Sequence, residues 1–168
     1  MNRFMVFDVE SIGLHGEGFA VGYVVIDGGS CVDEGCYACP PETAAGLTAN
    51  RKWVSENVPK LAYNCEGPRQ VRQRFWADWL RERAAGAVLV ADCAWPVEAR
   101  FLIACVDDSL ATNEWDGPYP LHDLASILLA LGKDPLVAGD RLLDEPAHDP
   151  LGDARQSARM LMESMNDR

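Results

Sequence analysis

Two acidic residues stand at the end of the first apolar segment of the chain. Residues 4–7 are all apolar, as in a buried strand, and Asp8 and Glu10 follow with one valine between them. Side chains two residues apart on a strand point to the same face, so these carboxylates are expected to project together. Like charges on a buried strand repel each other unless a cation neutralises them. The pair therefore predicts a metal site; the alternative is a strand end that frays into water.

A second pattern that could form a catalytic site lies near the end of the sequence, where His148 precedes Asp153 by five residues. Pro150 suits a first helical turn and Asp149 a helix cap, which places the histidine on a loop and Asp153 on the first turn. A neutral imidazole beside metal-bound water can act as a general base near pH 7. The alternative is structural, with Asp149 as the cap and Asp153 as an acid favoured by the helix dipole.

A third acid, Asp92, ends the short apolar run at residues 88–91. Taken together, the three segments resemble the DEDDh family of 3′→5′ exonucleases. Residues 7–14 look like the first motif of that family and residues 148–154 like the third, and the resemblance covers roughly residues 4–162 in order and spacing. The family has a ribonuclease H-like fold, so the resemblance implies that fold here.

The resemblance also implies a mechanism with two Mg²⁺ or Mn²⁺ ions that bridge the scissile phosphate, about 3.5–4 Å apart. His148 would take a proton from the attacking water, and nucleoside 5′-monophosphates would leave one at a time from a 3′ end. The implied metal ligands are Asp8, Glu10, Asp153 and one acid of the second motif.

The second motif is where this sequence departs from the family pattern. Members usually carry an Asp at a helix start, followed by Phe-Leu, and counting back from Phe101-Leu102 leads to Glu98 instead. Asp92 is preferred as the fourth carboxylate because a strand-end acid would lie beside Asp8, and Glu98 stays the alternative. Two residues near the motifs are candidates for substrate binding: Ser11, which replaces the commoner Thr, and Trp95, which could stack on a base.

The elements that must position these residues follow an α/β pattern. Three strands come first as a hairpin group within residues 4–38, with a turn signal at Asp27-Gly28-Gly29, and strands then alternate with helices. Helices are predicted over residues 68–85, 96–106, 121–131 and from about 150, and an Arg-rich side of the first is expected to be a solvated face. The prediction is one domain over residues 1–168, a mixed central sheet flanked by helices; residues 42–67 show no clear pattern.

Composition limits the partners. The formal net charge is −11, which argues against a long basic track for duplex DNA and favours single-stranded RNA or DNA 3′ ends. No apolar run is long enough to span a membrane, and an acid appears too early for a secretory signal, so a cytoplasmic location is expected. The sequence leaves a homodimer open.

Three rival interpretations remain at this stage. One is a catalytically inactive ribonuclease H-like module that binds a partner, and another is a DNA-directed proofreading exonuclease. The third concerns the cysteines, since Cys36 and Cys39 form a CxxC that Cys31 and Cys65 would complete as a zinc site. Reduced, structural thiols are the preferred interpretation of the cysteines.

Overall fold

The computed structural model describes residues 3–135 and 145–166. Within them, five strands form one sheet in the order β3-β2-β1-β4-β5. Strand β2 pairs antiparallel with both β1 and β3. Strand β4 pairs in parallel with β1, and β5 pairs in parallel with β4. The predicted α/β class with a mixed sheet is confirmed. The strands are β1 Arg3–Ser11, β2 Gly18–Asp27, β3 Ser30–Ala38, β4 Ala87–Ala91 and β5 His122–Asp123.

Six helices accompany the sheet in the described part of the chain. Helices α2 and α3 pack on one face around Phe7, and α5 and α6 pack on the other around Val6. Because successive strand residues alternate between faces, Asp8 and Glu10 share the α6 face with Val6. The helices are α1 Thr48–Asn57, α2 Pro68–Ala84, α3 Ala99–Asp107, α4 Leu110–Asn113, α5 Leu124–Ala130 and α6 Pro150–Asn166.

The hairpin between β2 and β3 forms where the sequence predicts a turn. Gly28 and Gly29 have φ angles of 61° and 83°, a left-handed conformation that glycine adopts without steric cost. Strand β2, which precedes this turn, is buried along nearly its whole length, because the sheet continues on both sides of it and helices cover both faces.

Some boundaries differ from the sequence-based expectation. Helix α1 lies in the stretch that showed no clear pattern. The helix expected from Pro96 appears in two parts: a wide helical turn, Ala94–Glu98, in which only Trp95 has non-helical backbone angles, and α3 from Ala99. The helix expected from residue 121 begins at Leu124, because the two preceding residues pair with β4 as the short strand β5.

The arginines of α2 lie mostly on an exposed face, as predicted, and most of them also form ion pairs with acids of neighbouring elements. Arg72 is the exception on that helix. Arg72 is 8% exposed, with its Nε 2.7 Å from Asp108 Oδ2 and its Nη1 2.8 Å from Glu17 Oε1. None of the helices in residues 3–135 and 145–166 combines the length and apolar character needed to cross a membrane.

Candidate active site

The first two acids lie at the end of β1, in the middle of the sheet. Asp8 is 9% exposed and Glu10 is 8% exposed, although neither residue type is usually buried without a partner. Among the described residues, no group donates a hydrogen bond to Asp8 Oδ2. A buried carboxylate oxygen in this state costs free energy unless a cation or another donor approaches it.

Helix α6 brings the second pair of candidates to the first. Gly22 is the register partner of Asp8 on β2, and a Cβ atom there would lie 2.3 Å from the backbone of Pro150. Because glycine has no side chain, the start of α6 packs directly against β2 at this point. As a result, one ligand atom each from Glu10, His148 and Asp153 lie within 4.8 Å of one another.

His148 is held by its own backbone and by an aromatic neighbour. Its φ angle is 63°, a left-handed conformation that is uncommon for a residue with a side chain. Its Nδ1 lies 3.6 Å from Glu10 Oε1, and its ring meets Trp53 edge to face with centroids 5.0 Å apart. The segment before it is anchored to α6, where Arg159 Nη1 donates to the buried Glu145 Oε1 at 3.1 Å.

Both acids of the second motif reach the same cleft by different routes. The backbone N–H of Asp92 donates to Phe7 O at 3.2 Å, which places this strand end beside Asp8 as expected. The side chain of Asp92 accepts a hydrogen bond from Ser157 Oγ at 2.7 Å. Glu98 is only 5% exposed and is the more deeply buried of the two.

Mutual repulsion among these acids shows in their pKa values. Burial, followed by the charges of Glu98, Glu10, Asp153 and Asp92 in that order, raises the pKa of Asp8 well above its usual range. Burial is also the main cause that raises the pKa of Glu10 to about 8 and that of Glu98 to about 8. Glu98 is thus a stronger electrostatic neighbour of Asp8 than Asp92 is. Oxygen donors that disfavour one another's charge in this way fit a divalent cation such as Mg²⁺ or Mn²⁺.

A single cleft of about 680 Å³ brings together every residue that the sequence singled out as a site candidate. Ser11 Oγ donates to Gly13 O at 2.9 Å at its edge, and Trp95 is 74% exposed at its rim. The predicted residues that line the cleft are Asp8, Glu10, Ser11, Asp92, Trp95, Glu98, His148 and Asp153.

The cleft also contains residues that sequence reasoning did not place. Leu14, 65% exposed, and Trp53, 46% exposed, stand at the rim with Trp95. Leu14 follows the first motif directly, so its position close to the acids could have been inferred from that motif. Trp53 belongs to α1, whose apolar pattern is too weak to have shown which side faces the sheet.

The cysteines do not form the zinc site that was considered. All six are free thiols. In the part of the chain that the structure describes, the compact group of potential metal ligands is the one formed by Glu10, His148 and Asp153, and it contains no cysteine.

Comparison with known proteins gives the fold. No family model matches the chain, and no curated protein matches it. Among solved structures, exonuclease I from Methylocaldum szegediense superposes with a TM-score of 0.67 and 13% identity over 100% of this chain and 41% of that one. E. coli exonuclease I in complex with a dT13 oligonucleotide superposes with a TM-score of 0.64 and 10% identity, over 97% of this chain and 41% of that one. A 3′-exonuclease that recognises the 3′ end of the histone mRNA stem-loop superposes with a TM-score of 0.57 and 15% identity, over 99% of this chain and 82% of that one.

These likenesses confirm the ribonuclease H-like architecture. At identities of 10–15% they establish a shared fold and leave the activity to be argued from the side chains. This chain spans 41% of the length of the exonuclease I structures that it resembles.

Proposed function

We propose that the chain is a metal-dependent 3′→5′ exonuclease. It would hydrolyse phosphodiester bonds at the 3′ end of RNA or short single-stranded nucleic acid and release nucleoside 5′-monophosphates. The observation that carries the proposal is the grouping of Glu10, His148 and Asp153 beside the buried carboxylate of Asp8, in one open cleft. The fold supports it, because structural neighbours that share the fold are exonucleases.

Four carboxylates are proposed to hold two Mg²⁺ or Mn²⁺ ions: Asp8, Glu10, Asp153 and an acid of the second motif. Hard oxygen ligands suit these cations better than zinc. When bound, such ions stabilise the negative charge that develops on a phosphate and make a water molecule more acidic. The Asp8 carboxylate, which has an oxygen without a donor among the described residues, would be neutralised in the process.

We favour Glu98 as the fourth carboxylate, although the sequence favoured Asp92. Glu98 is more deeply buried and raises the pKa of Asp8 more strongly. Asp92 accepts a hydrogen bond from Ser157, so it is suited to fixing the α6 end of the cleft. Glu98→Gln should therefore abolish most activity and be partly rescued by excess Mn²⁺, whereas Asp92→Asn should retain more. If Asp92→Asn loses more activity than Glu98→Gln, Asp92 is the fourth carboxylate.

His148 is proposed as the general base. Its ring nitrogen Nδ1 lies near Glu10, so the imidazole is placed to take the proton that the attacking water releases. Ser11 and Trp95 at the edge and rim of the cleft are proposed to contact the terminal nucleotide.

A labelled-substrate assay tests the function. Short RNA, single-stranded DNA and duplex DNA with a label at the 5′ end are incubated with Mg²⁺, with Mn²⁺, or with EDTA. We expect a ladder that shortens from the 3′ end on single strands, and no products in EDTA. Internal fragments that appear first would indicate an endonuclease. A protein that binds single strands and metal but cleaves none of the three would favour the inactive binding module, and preference for a mismatched duplex would favour the proofreading alternative.

A further inference from the structure

A second cleft, of about 380 Å³, lies next to the first on the other side of the loop that follows β1. Leu14 lines the catalytic cleft and His15 lines the second one, so the shared wall is one residue thick at this point. The start of α3 forms another shared wall, with Glu98 in the first cleft and Arg100 in the second. The two clefts are therefore lined by neighbouring residues of the chain at two places.

The walls of the second cleft are backbone-rich, because glycines line them. A Cβ atom at Gly16 would lie 2.0 Å from Ile12 O, and one at Gly46 would lie 2.2 Å from the Ile12 side chain. Only glycine permits such close packing of the two loops. The cleft between them is therefore open to a ligand that contacts backbone and a few polar side chains.

Arg100 supplies the charge of this cleft. Arg72 lies in the same cleft, but its guanidinium is neutralised by Asp108 and Glu17. Arg100 is exposed and, within residues 3–135 and 145–166, makes no hydrogen bond and no ion pair. The Arg100 charge is therefore available to an anionic ligand.

We propose that the second cleft binds the phosphodiester backbone of the nucleotide next to the terminal one, through the Arg100 guanidinium and an N–H of His15. The inference rests on the proposed nuclease function. An arginine matches phosphate oxygens with two parallel N–H donors. Carboxylates dominate the charge of the first cleft, so an unpaired cation in the neighbouring cleft gives the strand an attraction that the first cleft lacks in the absence of metal.

The test compares Arg100→Gln with a matched control. Lys60→Gln is suitable, because Lys60 makes no hydrogen bond or ion pair within the described residues and lines neither cleft. Two substrates are used: a 5′-labelled single-stranded oligonucleotide, and a p-nitrophenyl ester of a nucleoside 5′-monophosphate, which has no neighbouring nucleotide. For Arg100→Gln, kcat/KM on the oligonucleotide should fall relative to that on the ester by about tenfold to a hundredfold. For Lys60→Gln, the ratio should stay at the wild-type value.

A binding measurement gives a readout that does not need turnover. Anisotropy of a 5′-fluorescein oligonucleotide is recorded in Ca²⁺ at several salt concentrations. Loss of one phosphate contact should make the slope of log K against log salt shallower by about 0.7 in Arg100→Gln, whereas Arg100→Lys, which keeps the charge, should keep the slope and lose only part of the affinity.

The outcomes separate the two proposals. A wild-type protein that hydrolyses neither substrate contradicts the nuclease function, and the binding arm then decides on the second cleft by itself. Equal affinity and equal salt slope in wild type and Arg100→Gln, or no binding by the wild type, would overturn the phosphate subsite.

Discussion

Glu82 and Glu98 are both buried glutamates, 3% and 5% exposed, and they lie near opposite ends of β1. Glu82 accepts hydrogen bonds from Arg3 Nε at 2.8 Å and from Arg81 Nε at 3.0 Å, so each carboxylate oxygen has a cationic donor. Glu98 accepts backbone hydrogen bonds but has carboxylates rather than arginines as its charged neighbours, and burial raises its pKa to about 8. The difference separates a carboxylate whose charge arginines neutralise from one whose charge no neighbouring cation neutralises.

Asp78 and Asp8 repeat the contrast. Asp78 accepts hydrogen bonds from Tyr23 and Tyr37 on the sheet and from Arg81 on its own helix. Asp8 is buried to a similar degree, yet its strongest electrostatic neighbours are carboxylates. The burial of an acid is therefore not by itself a sign of function. The burial of an acid that lacks hydrogen-bond donors for its carboxylate is such a sign.

The largest effect is expected from Asp8→Asn. Loss of this negative charge removes the central ligand of the acid group, so nuclease activity should fall below detection in Mg²⁺ or Mn²⁺. The fold should persist, because the neutral amide relieves repulsion. Circular dichroism and the labelled-substrate assay measure the two properties, and Glu82→Gln serves as the control that keeps activity. Activity near the wild-type level in Asp8→Asn would contradict the site assignment.

His148→Ala should lower kcat by about 10²–10⁴, the usual range for a general base. Metal affinity should change less than it does in Asp8→Asn, because the histidine acts on the proton rather than as a principal ligand. Single-turnover rates at saturating Mn²⁺ provide the measurement. A reduction of less than threefold would show that the imidazole has no part in proton transfer.

Substitutions of the buried glutamates near the two ends of β1 should change the free energy of unfolding in opposite directions. Glu82→Gln removes the buried carboxylate that Arg3 and Arg81 share, which should destabilise the fold by about 1.5–3 kcal/mol. Glu98→Gln should stabilise the metal-free protein above about pH 8, where the Glu98 carboxylate is charged and burial disfavours that charge. Urea unfolding in EDTA measures both. Equal destabilisation by the two substitutions would remove the distinction between the regions.

The stability of the metal-free protein should also depend on pH. The folded state holds protons on Glu10 and Glu98 up to about pH 8, whereas the unfolded chain releases them near 4.5. Between these values the unfolded state binds fewer protons, so stability should decrease as pH rises, by on the order of 1 kcal/mol per pH unit for each group. Unfolding free energies from pH 5 to 8 test the sign. A stability that rises across this window would contradict the raised pKa values.

The sequence predicted the class of fold and the principal site residues for identifiable reasons. Alternation on β1 placed Asp8 and Glu10 on one face, and the Pro150 helix start placed His148 before the helix. The sequence preferred Asp92 because a strand-end acid would lie beside Asp8, and the hydrogen bond from Asp92 N–H to Phe7 O agrees with that position. The deeper burial of Glu98 comes from tertiary packing, which the local pattern did not show.

Long-range contacts could not be read from local pattern. Trp53 contacts His148 from the other half of the chain, and the ion pairs of the α2 arginines connect segments far apart in sequence. The close approach of α6 to the sheet depends on Gly22, whose role emerges only when its register with Asp8 is known.

Calorimetric titration with Mn²⁺ in the absence of nucleic acid tests the central claim most directly. The wild-type protein should bind Mn²⁺ with release of protons, because Glu10 and Glu98 hold protons near neutral pH until a cation replaces them. Asp8→Asn should bind far more weakly, and Glu82→Gln should bind like the wild type. A wild-type protein that takes up no Mn²⁺, or one whose affinity is the same after Asp8→Asn, would contradict the account.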